Sequence, residues 1–241
     1  MHHYQLLCSR IQAIFYDLDG TLADTEEMLF EVWVEMMAAH GRVFTLQDYL
    51  GIIGTPEDEK VPELLARFGV PEDPKAFYVR FIARLKERMA ADLKPMPGAE
   101  ESLKKSAATR APLGLVTSAT DWHAEHALDA LGFKKYFYPG ARVTAETEGL
   151  TGRKPHPAPY LLAAKLLHVK AGGCVAFEDS VHGATSALAA GMLVVGVPHR
   201  LSPREKLEGI AHHVIPDGKT IADFAFTDIP LIDLMLPRSP R

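Results

Sequence analysis

Four short apolar runs set the strongest limit on how this chain can fold. The runs are residues 11–16, 113–116, 174–177 and 193–197. Helical patterns lie among them, at residues 121–131, 156–167 and 181–190. Short apolar runs of this kind are typical of strands buried on both faces, and their alternation with helices favours a parallel sheet. The pattern predicts an α/β fold whose functional site lies at the carboxyl ends of the strands.

Residues 24–92 interrupt this alternation. They contain helical patterns at 26–39, 56–68 and 74–91 but no run typical of a buried strand. We therefore expect a helical insert between the first strand and the rest of the sheet. The predicted division is a core of residues 1–23 and 93–241 with an inserted helical domain of residues 24–92.

A pair of carboxylates follows the first apolar run directly. The motif reads Asp17-Leu18-Asp19-Gly20-Thr21-Leu22. Two like charges this close resist joint ionisation, and a divalent cation with oxygen ligands relieves that cost. Asp17 can act as a nucleophile that forms an aspartyl-phosphate, and Asp19 can act as general acid and base. The alternative is a solvated acidic turn.

Polar residues also follow the second run and precede a later helix. Thr117 and Ser118 come directly after residues 113–116, where their hydroxyls can bind a phosphoryl oxygen or cap the next helix. Lys154 precedes two closely spaced prolines and suits a phosphate or a carboxylate. A solvated lysine in a turn is the alternative interpretation of Lys154.

A second acidic pair follows the third apolar run. Glu178 and Asp179 are followed by Ser180 and, three residues later, by Gly183. Carboxylates here would converge on the same edge of the sheet as Asp17 and supply further metal ligands. They could instead complement the dipole of the following helix.

Composition narrows the classes of function. The chain has 241 residues, 47% of them hydrophobic, which excludes a disordered chain. Its net charge of −5 argues against a nucleic-acid partner, and its apolar runs are too short to span a membrane. Cys8 and Cys174 form no Cys-x-x-Cys pair, so we expect reduced thiols in a cytoplasmic protein. A monomer is the default expectation.

The chain resembles the haloacid dehalogenase superfamily. The resemblance rests on four features taken together: the motif at Asp17, the Thr117-Ser118 pair, Lys154 and the motif at Glu178. Within it, the chain is similar to the branch of β-phosphoglucomutase-like and phosphoglycolate-phosphatase-like hydrolases. The resemblance covers about residues 11–198. It implies a Rossmann-like core with a helical cap domain inserted after the first strand. It also implies a Mg²⁺-dependent phosphatase that acts on a small phosphorylated metabolite, such as a sugar phosphate, through an aspartyl-phosphate.

The resemblance also implies a role for each motif residue. Asp17 is the expected nucleophile and Asp19 the expected general acid and base. The expected Mg²⁺ site consists of the Asp17 carboxylate, the Asp19 backbone carbonyl and Asp179, with Glu178 nearby. The residues expected to bind the phosphoryl group are Thr21, Thr117, Ser118 and Lys154.

A phosphosugar mutase of the same fold is the main alternative. In the mutases that the chain resembles, a histidine stands twelve residues after the nucleophile, and an arginine in a cap turn grips a second phosphate. In this chain the residue twelve positions after Asp17 is Leu29, and no arginine lies between Val43 and Leu65. Glu57 and Asp58 would repel a second phosphate. Water is therefore the predicted acceptor of the phosphoryl group.

Two further alternatives belong to other classes. A dehalogenase needs no metal and no second carboxylate, so Asp19 together with Glu178 and Asp179 argues against it. A non-catalytic binding protein on the same fold would have no need of both Asp17 and Asp19. Specificity residues are expected in the cap domain, where a predicted turn at residues 53–55 could reach the site.

Overall fold

The computed structural model describes residues 11–52 and 57–228, which divide into two compact units. The core unit runs up to Asp24 and resumes at Lys94, and the helical unit is Thr25–Leu93. Within these ranges, no helix combines the length and the apolar composition needed to cross a bilayer. Cys8 and the predicted turn at residues 53–55 lie outside the described residues.

A parallel sheet forms the centre of the core unit, and the α/β prediction is confirmed. Its strands are β1 (Ala13–Tyr16), β2 (Leu113–Val116), β3 (Arg142–Val143), β4 (Cys174–Glu178), β5 (Leu193–Gly196) and β6 (His213–Val214). They lie in the order β3-β2-β1-β4-β5-β6, and every neighbouring pair is parallel. This is the strand order of a Rossmann-like sheet. The two-residue strands β3 and β6 were not predicted, because each is too short to produce an apolar run.

Eight α-helices lie within the described residues. The helical unit contains α1 (Thr25–Ala38), α2 (Leu46–Leu50), α3 (Glu57–Phe68) and α4 (Pro74–Asp92). The core unit contains α5 (Ala99–Ala108), α6 (Asp121–Ala130), α7 (Ala158–Leu166) and α8 (Val181–Ala189). The sequence patterns missed α2 and α5. A local signal for α2 was available, since Thr45 and Asp48 form a capping box at its start.

The core of the helical unit is built on one aromatic cluster. Trp33 of α1 stacks on Phe44 and on Phe77 of α4, and its ring lies 4.7 Å from that of Phe81. All four side chains are buried. The apolar face of α1 therefore holds this unit together, as its helical spacing indicates.

Strand β1 places the carboxyl ends of its two neighbours beside its own. Tyr16 pairs in register with Leu115 of β2 and with Phe177 of β4. The Asp17 amide then donates a hydrogen bond to the Phe177 carbonyl, at 3.0 Å. The residue after Phe177 is Glu178, so the register itself brings the two acidic motifs to one edge of the sheet.

The Tyr16 side chain ties β1 to α5. Its ring stacks on that of Phe177, with the centroids 4.7 Å apart. Its hydroxyl lies 2.9 Å from the Ser102 hydroxyl and 2.7 Å from that of Ser106, and all three side chains are buried. Burial raises the pKa of this tyrosine to about 12, so the hydroxyl keeps its proton.

We predict that Tyr16→Phe lowers the free energy of unfolding by about 1–2 kcal/mol, because two buried serine hydroxyls lose their partner. Tyr138→Phe is the matched control, since Tyr138 is more than half exposed. Urea unfolding of both variants measures the difference. Equal stability of the two would show that the Tyr16 hydroxyl contributes nothing.

Candidate active site

The turn after β1 requires a glycine. Gly20 has φ +77°, in the region that favours glycine, and its amide donates to the Ala23 carbonyl at 2.9 Å. A Cβ at this position would lie 2.5 Å from Asp179 Oδ2 and 2.8 Å from His199 Nε2. Gly20 thus allows the first acidic motif to approach the second closely.

Lys154 lies at the centre of the site. Its Nζ is 2.6 Å from Asp17 Oδ1, 2.5 Å from Glu178 Oε1 and 2.8 Å from the Val116 carbonyl oxygen. These three acceptors match the three hydrogens of an ammonium group. The Lys154 side chain is only 4% exposed, so the interpretation as a solvated lysine is wrong.

The charge of Lys154 is strongly stabilised. Burial lowers the pKa of the ammonium group, but the attraction and hydrogen bonds of Asp17 and Glu178 outweigh burial and raise it above its usual range. The lysine therefore remains a cation within the protein. It provides a fixed positive charge next to the carboxylate of Asp17.

Glu178 and Asp179 are not the residues that cap the following helix. Ser180 is the N-cap of α8, and its Oγ accepts a hydrogen bond from the Gly183 amide at 2.9 Å. Glu178 is fully buried, and its Oε1 also accepts from the Tyr160 hydroxyl at 2.5 Å. The acidic pair is therefore not the helix cap.

Asp17, Glu178 and Asp179 form a buried carboxylate cluster. One oxygen from each lies within 4.8 Å of the others, and all three residues are buried. Burial raises the pKa of Asp17 and of Glu178, although Lys154 acts against this rise in both. One ammonium group offsets only one of three negative charges. This excess of hard oxygen donors fits a divalent cation such as Mg²⁺.

Asp19 makes different contacts from the cluster. Its Oδ1 is 2.7 Å from His123 Nε2, and its Oδ2 accepts a hydrogen bond from the Thr117 hydroxyl at 3.4 Å. The sequence analysis predicted Asp19 but missed His123, which lies in the first turn of α6. The available signal was its position, seven residues after the end of β2.

The predicted phosphate-binding hydroxyls lie around these carboxylates. Thr21 is buried, and its hydroxyl donates to Asp179 Oδ1 at 3.4 Å. Thr117 is buried, and its Oγ accepts from the Ala119 amide at 3.0 Å, whereas Ser118 is exposed. Thr21, Thr117 and Lys154 thus each contact at least one of the acidic residues. Ser118, the next residue after Thr117, is exposed to solvent.

His199 is a second residue that the sequence analysis missed. Its Nε2 lies 3.0 Å from Asp179 Oδ2. It follows β5 by three residues, at the same edge of the sheet as the carboxylates. Asp179 is therefore held from two sides, by Thr21 and by His199.

Comparison with known proteins identifies the family. Residues 14–197 match the family model of the haloacid dehalogenase-like hydrolases. Since the match spans more than half of the chain, this chain belongs to that family, and the resemblance stated from its motifs is confirmed.

Named relatives and a solved structure add detail. The chain is 31% identical over 198 residues to a phosphorylated carbohydrates phosphatase of Thermotoga maritima, covering 82% of this chain and 90% of that protein. It is 29% identical over 188 residues to a fructose-1-phosphate phosphatase of Escherichia coli, covering 78% and 97%. A β-phosphoglucomutase structure from Clostridium difficile has a TM-score of 0.72 at 22% identity, covering 93% of this chain and 97% of that one. At that identity the structural match shows a shared fold alone.

We predict that Lys154→Met lowers the free energy of unfolding by about 3–5 kcal/mol in buffer without divalent cations, because Asp17 and Glu178 lose their buried counter-charge. Lys165→Met on α7 is the matched control, since Lys165 is exposed, and we expect a change within about 0.5 kcal/mol. Urea unfolding measures both. A similar small change in the two variants would contradict the role of Lys154.

Proposed function

We propose that this protein is a Mg²⁺-dependent phosphatase that hydrolyses a small phosphorylated metabolite, a sugar phosphate or similar, through an aspartyl-phosphate at Asp17. The observation that carries this proposal is the Asp17 carboxylate, held by a buried ammonium group within a cluster of three carboxylates. The two relatives named as sugar-phosphate phosphatases support the substrate class. A monomeric state and a cytoplasmic location stay predictions.

Mg²⁺ would be held by the carboxylates of Asp17 and Asp179 and by the backbone carbonyl of Asp19. Glu178 is the third carboxylate of the buried cluster. Its Oε1 also accepts a hydrogen bond from Lys154 Nζ and so holds the lysine in place. When bound, the cation supplies positive charge against the oxygens of the phosphoryl group.

In the first step, an Asp17 carboxylate oxygen attacks phosphorus. The bond between Asp17 and phosphorus forms as the bond from phosphorus to the leaving oxygen breaks. Asp19 gives its proton to that oxygen, so the alcohol leaves neutral. Lys154 stays on Asp17 and balances the negative charge of the reacting groups.

In the second step, water attacks the aspartyl-phosphate. Asp19, now a carboxylate, takes a proton from the water as the new oxygen–phosphorus bond forms and the bond to Asp17 breaks. Inorganic phosphate leaves, and Asp17 and Asp19 return to their starting states. Thr21, Thr117 and Ser118 are assigned to the phosphoryl oxygens, with their hydroxyls or backbone amides as donors.

The helical unit is assigned the role of a cap domain that excludes bulk water and holds the specificity residues. Its division from the core was expected at residues 24–92, and the compact unit is Thr25–Leu93. Leu29, which stands where the mutases carry a histidine, is buried within α1. A leucine at this position cannot form a hydrogen bond to an acid/base carboxylate. Its presence therefore favours transfer of the phosphoryl group to water over transfer to a sugar.

The test is an assay on a panel of phosphorylated sugars, sugar acids and nucleotides with and without Mg²⁺. Both free phosphate and isomerised sugar phosphates are followed. The proposal expects Mg²⁺-dependent release of phosphate from at least one sugar phosphate. Formation of glucose-6-phosphate from β-glucose-1-phosphate faster than free phosphate would establish a mutase instead.

We predict that Asp17→Asn lowers kcat by at least ~10³-fold, because the neutral amide is a poor nucleophile while the shape is nearly kept. Asp129→Asn on α6 is the control, since this carboxylate is exposed and lies 3.3 Å from the ammonium group of the surface residue Lys134. Steady-state phosphate release measures both. A variant Asp17→Asn with half the wild-type rate would rule out the covalent mechanism.

We predict that Asp179→Ala raises the Mg²⁺ concentration needed for half-maximal activity, because a carboxylate ligand is lost. Titration calorimetry of Mg²⁺ into the protein measures the same loss without turnover, and Asp129→Ala serves as the control. An unchanged Mg²⁺ dependence would remove Asp179 from the metal site.

A further inference from the structure

Asp19 is held at its two carboxylate oxygens by Thr117, directly after β2, and by His123, in the first turn of α6. His123 Nε2 lies 2.7 Å from Oδ1, and the Thr117 hydroxyl donates to Oδ2 at 3.4 Å. Thr117 follows the last residue of β2, and His123 lies in the first turn of α6. Two points of attachment restrict rotation of the carboxyl group about its Cβ–Cγ bond.

The environment of His123 keeps this contact in place. The His123 side chain is 9% exposed, whereas that of Asp19 is 20% exposed. The imidazole ring is packed beside the Trp122 ring, at 5.5 Å between centroids. The histidine is therefore fixed by packing, while the carboxylate keeps some access to an incoming group.

We propose that His123 is the positioning residue for Asp19 and orients its carboxyl group toward the leaving oxygen of the substrate. This inference rests on the proposed function, because it concerns the acid/base step assigned to Asp19. Both residues belong to the core unit, so their contact is made without the helical unit. Acid/base catalysis here would thus be prepared before any movement of the proposed cap domain.

Two substrates with different leaving groups distinguish a positioning role of His123 from a role in folding. A sugar phosphate releases a poor leaving group, an alkoxide, which needs a proton from Asp19. p-Nitrophenyl phosphate releases a phenolate that needs little help. A displaced Asp19 should therefore slow the first substrate far more than the second, whereas a damaged fold slows both.

The experiment measures kcat/KM for a sugar phosphate and for p-nitrophenyl phosphate in parallel. We expect His123→Phe to lower the first value by ~10–100-fold and the second by less than ~3-fold, part of the full effect of an acid/base group. His123→Gln, whose amide can still donate a hydrogen bond, should recover part of the loss. His126→Phe is the matched control, because His126 lies on the same helix and is exposed.

A double variant tests whether His123 acts through Asp19. In the Asp19→Asn background, His123→Phe should cause no further loss with the sugar phosphate, because the group that it positions is already gone. Losses that multiply, or equal losses on both substrates in His123→Phe and His123→Gln, would overturn the inference. A wild-type enzyme that releases no phosphate from either substrate would overturn the proposed function, and this inference with it.

Discussion

The ion pairs of Lys154 are the interaction on which the rest of the site depends. One buried ammonium group contacts the Val116 carbonyl at the end of β2, Asp17 after β1 and Glu178 at the end of β4. These are three adjacent strands of the sheet. Removal of the ammonium group would leave buried carboxylates unpaired, and removal of the carboxylates would leave a buried ammonium group unpaired. These ion pairs therefore hold the three strand ends together at the proposed active site.

The same contacts leave the cluster with more negative than positive charge. Asp17, Glu178 and Asp179 face one another within 4.8 Å, and Lys154 offsets one of the three charges. Such a buried set is stabilised when a further cation binds to it or when one of its carboxyl groups takes up a proton. The excess of carboxylates over ammonium groups in this cluster supports both the proposed cation site and the phosphatase proposal.

The sequence revealed the residues at strand ends and missed those held by tertiary contacts. Asp17 and Asp179 were predictable because each directly follows a buried strand, and the ends of parallel strands share an edge. His123 and His199 lie seven and three residues beyond the ends of β2 and β5, and their approach to Asp19 and Asp179 depends on where a helix turn and a loop lie in space. The Thr21 hydroxyl was assigned to phosphate, but its contact with Asp179 could be seen only in the structure.

The central claim is that phosphoryl transfer passes through Asp17, and the stereochemical course at phosphorus tests it most directly. A sugar phosphorothioate made chiral at phosphorus with ¹⁶O and ¹⁸O is hydrolysed by the wild-type enzyme in H₂¹⁷O, and the configuration of the released thiophosphate is determined. Each in-line displacement inverts the configuration, so transfer to Asp17 followed by transfer to water predicts net retention. Net inversion would show that water attacks the substrate directly and would contradict a covalent role for Asp17.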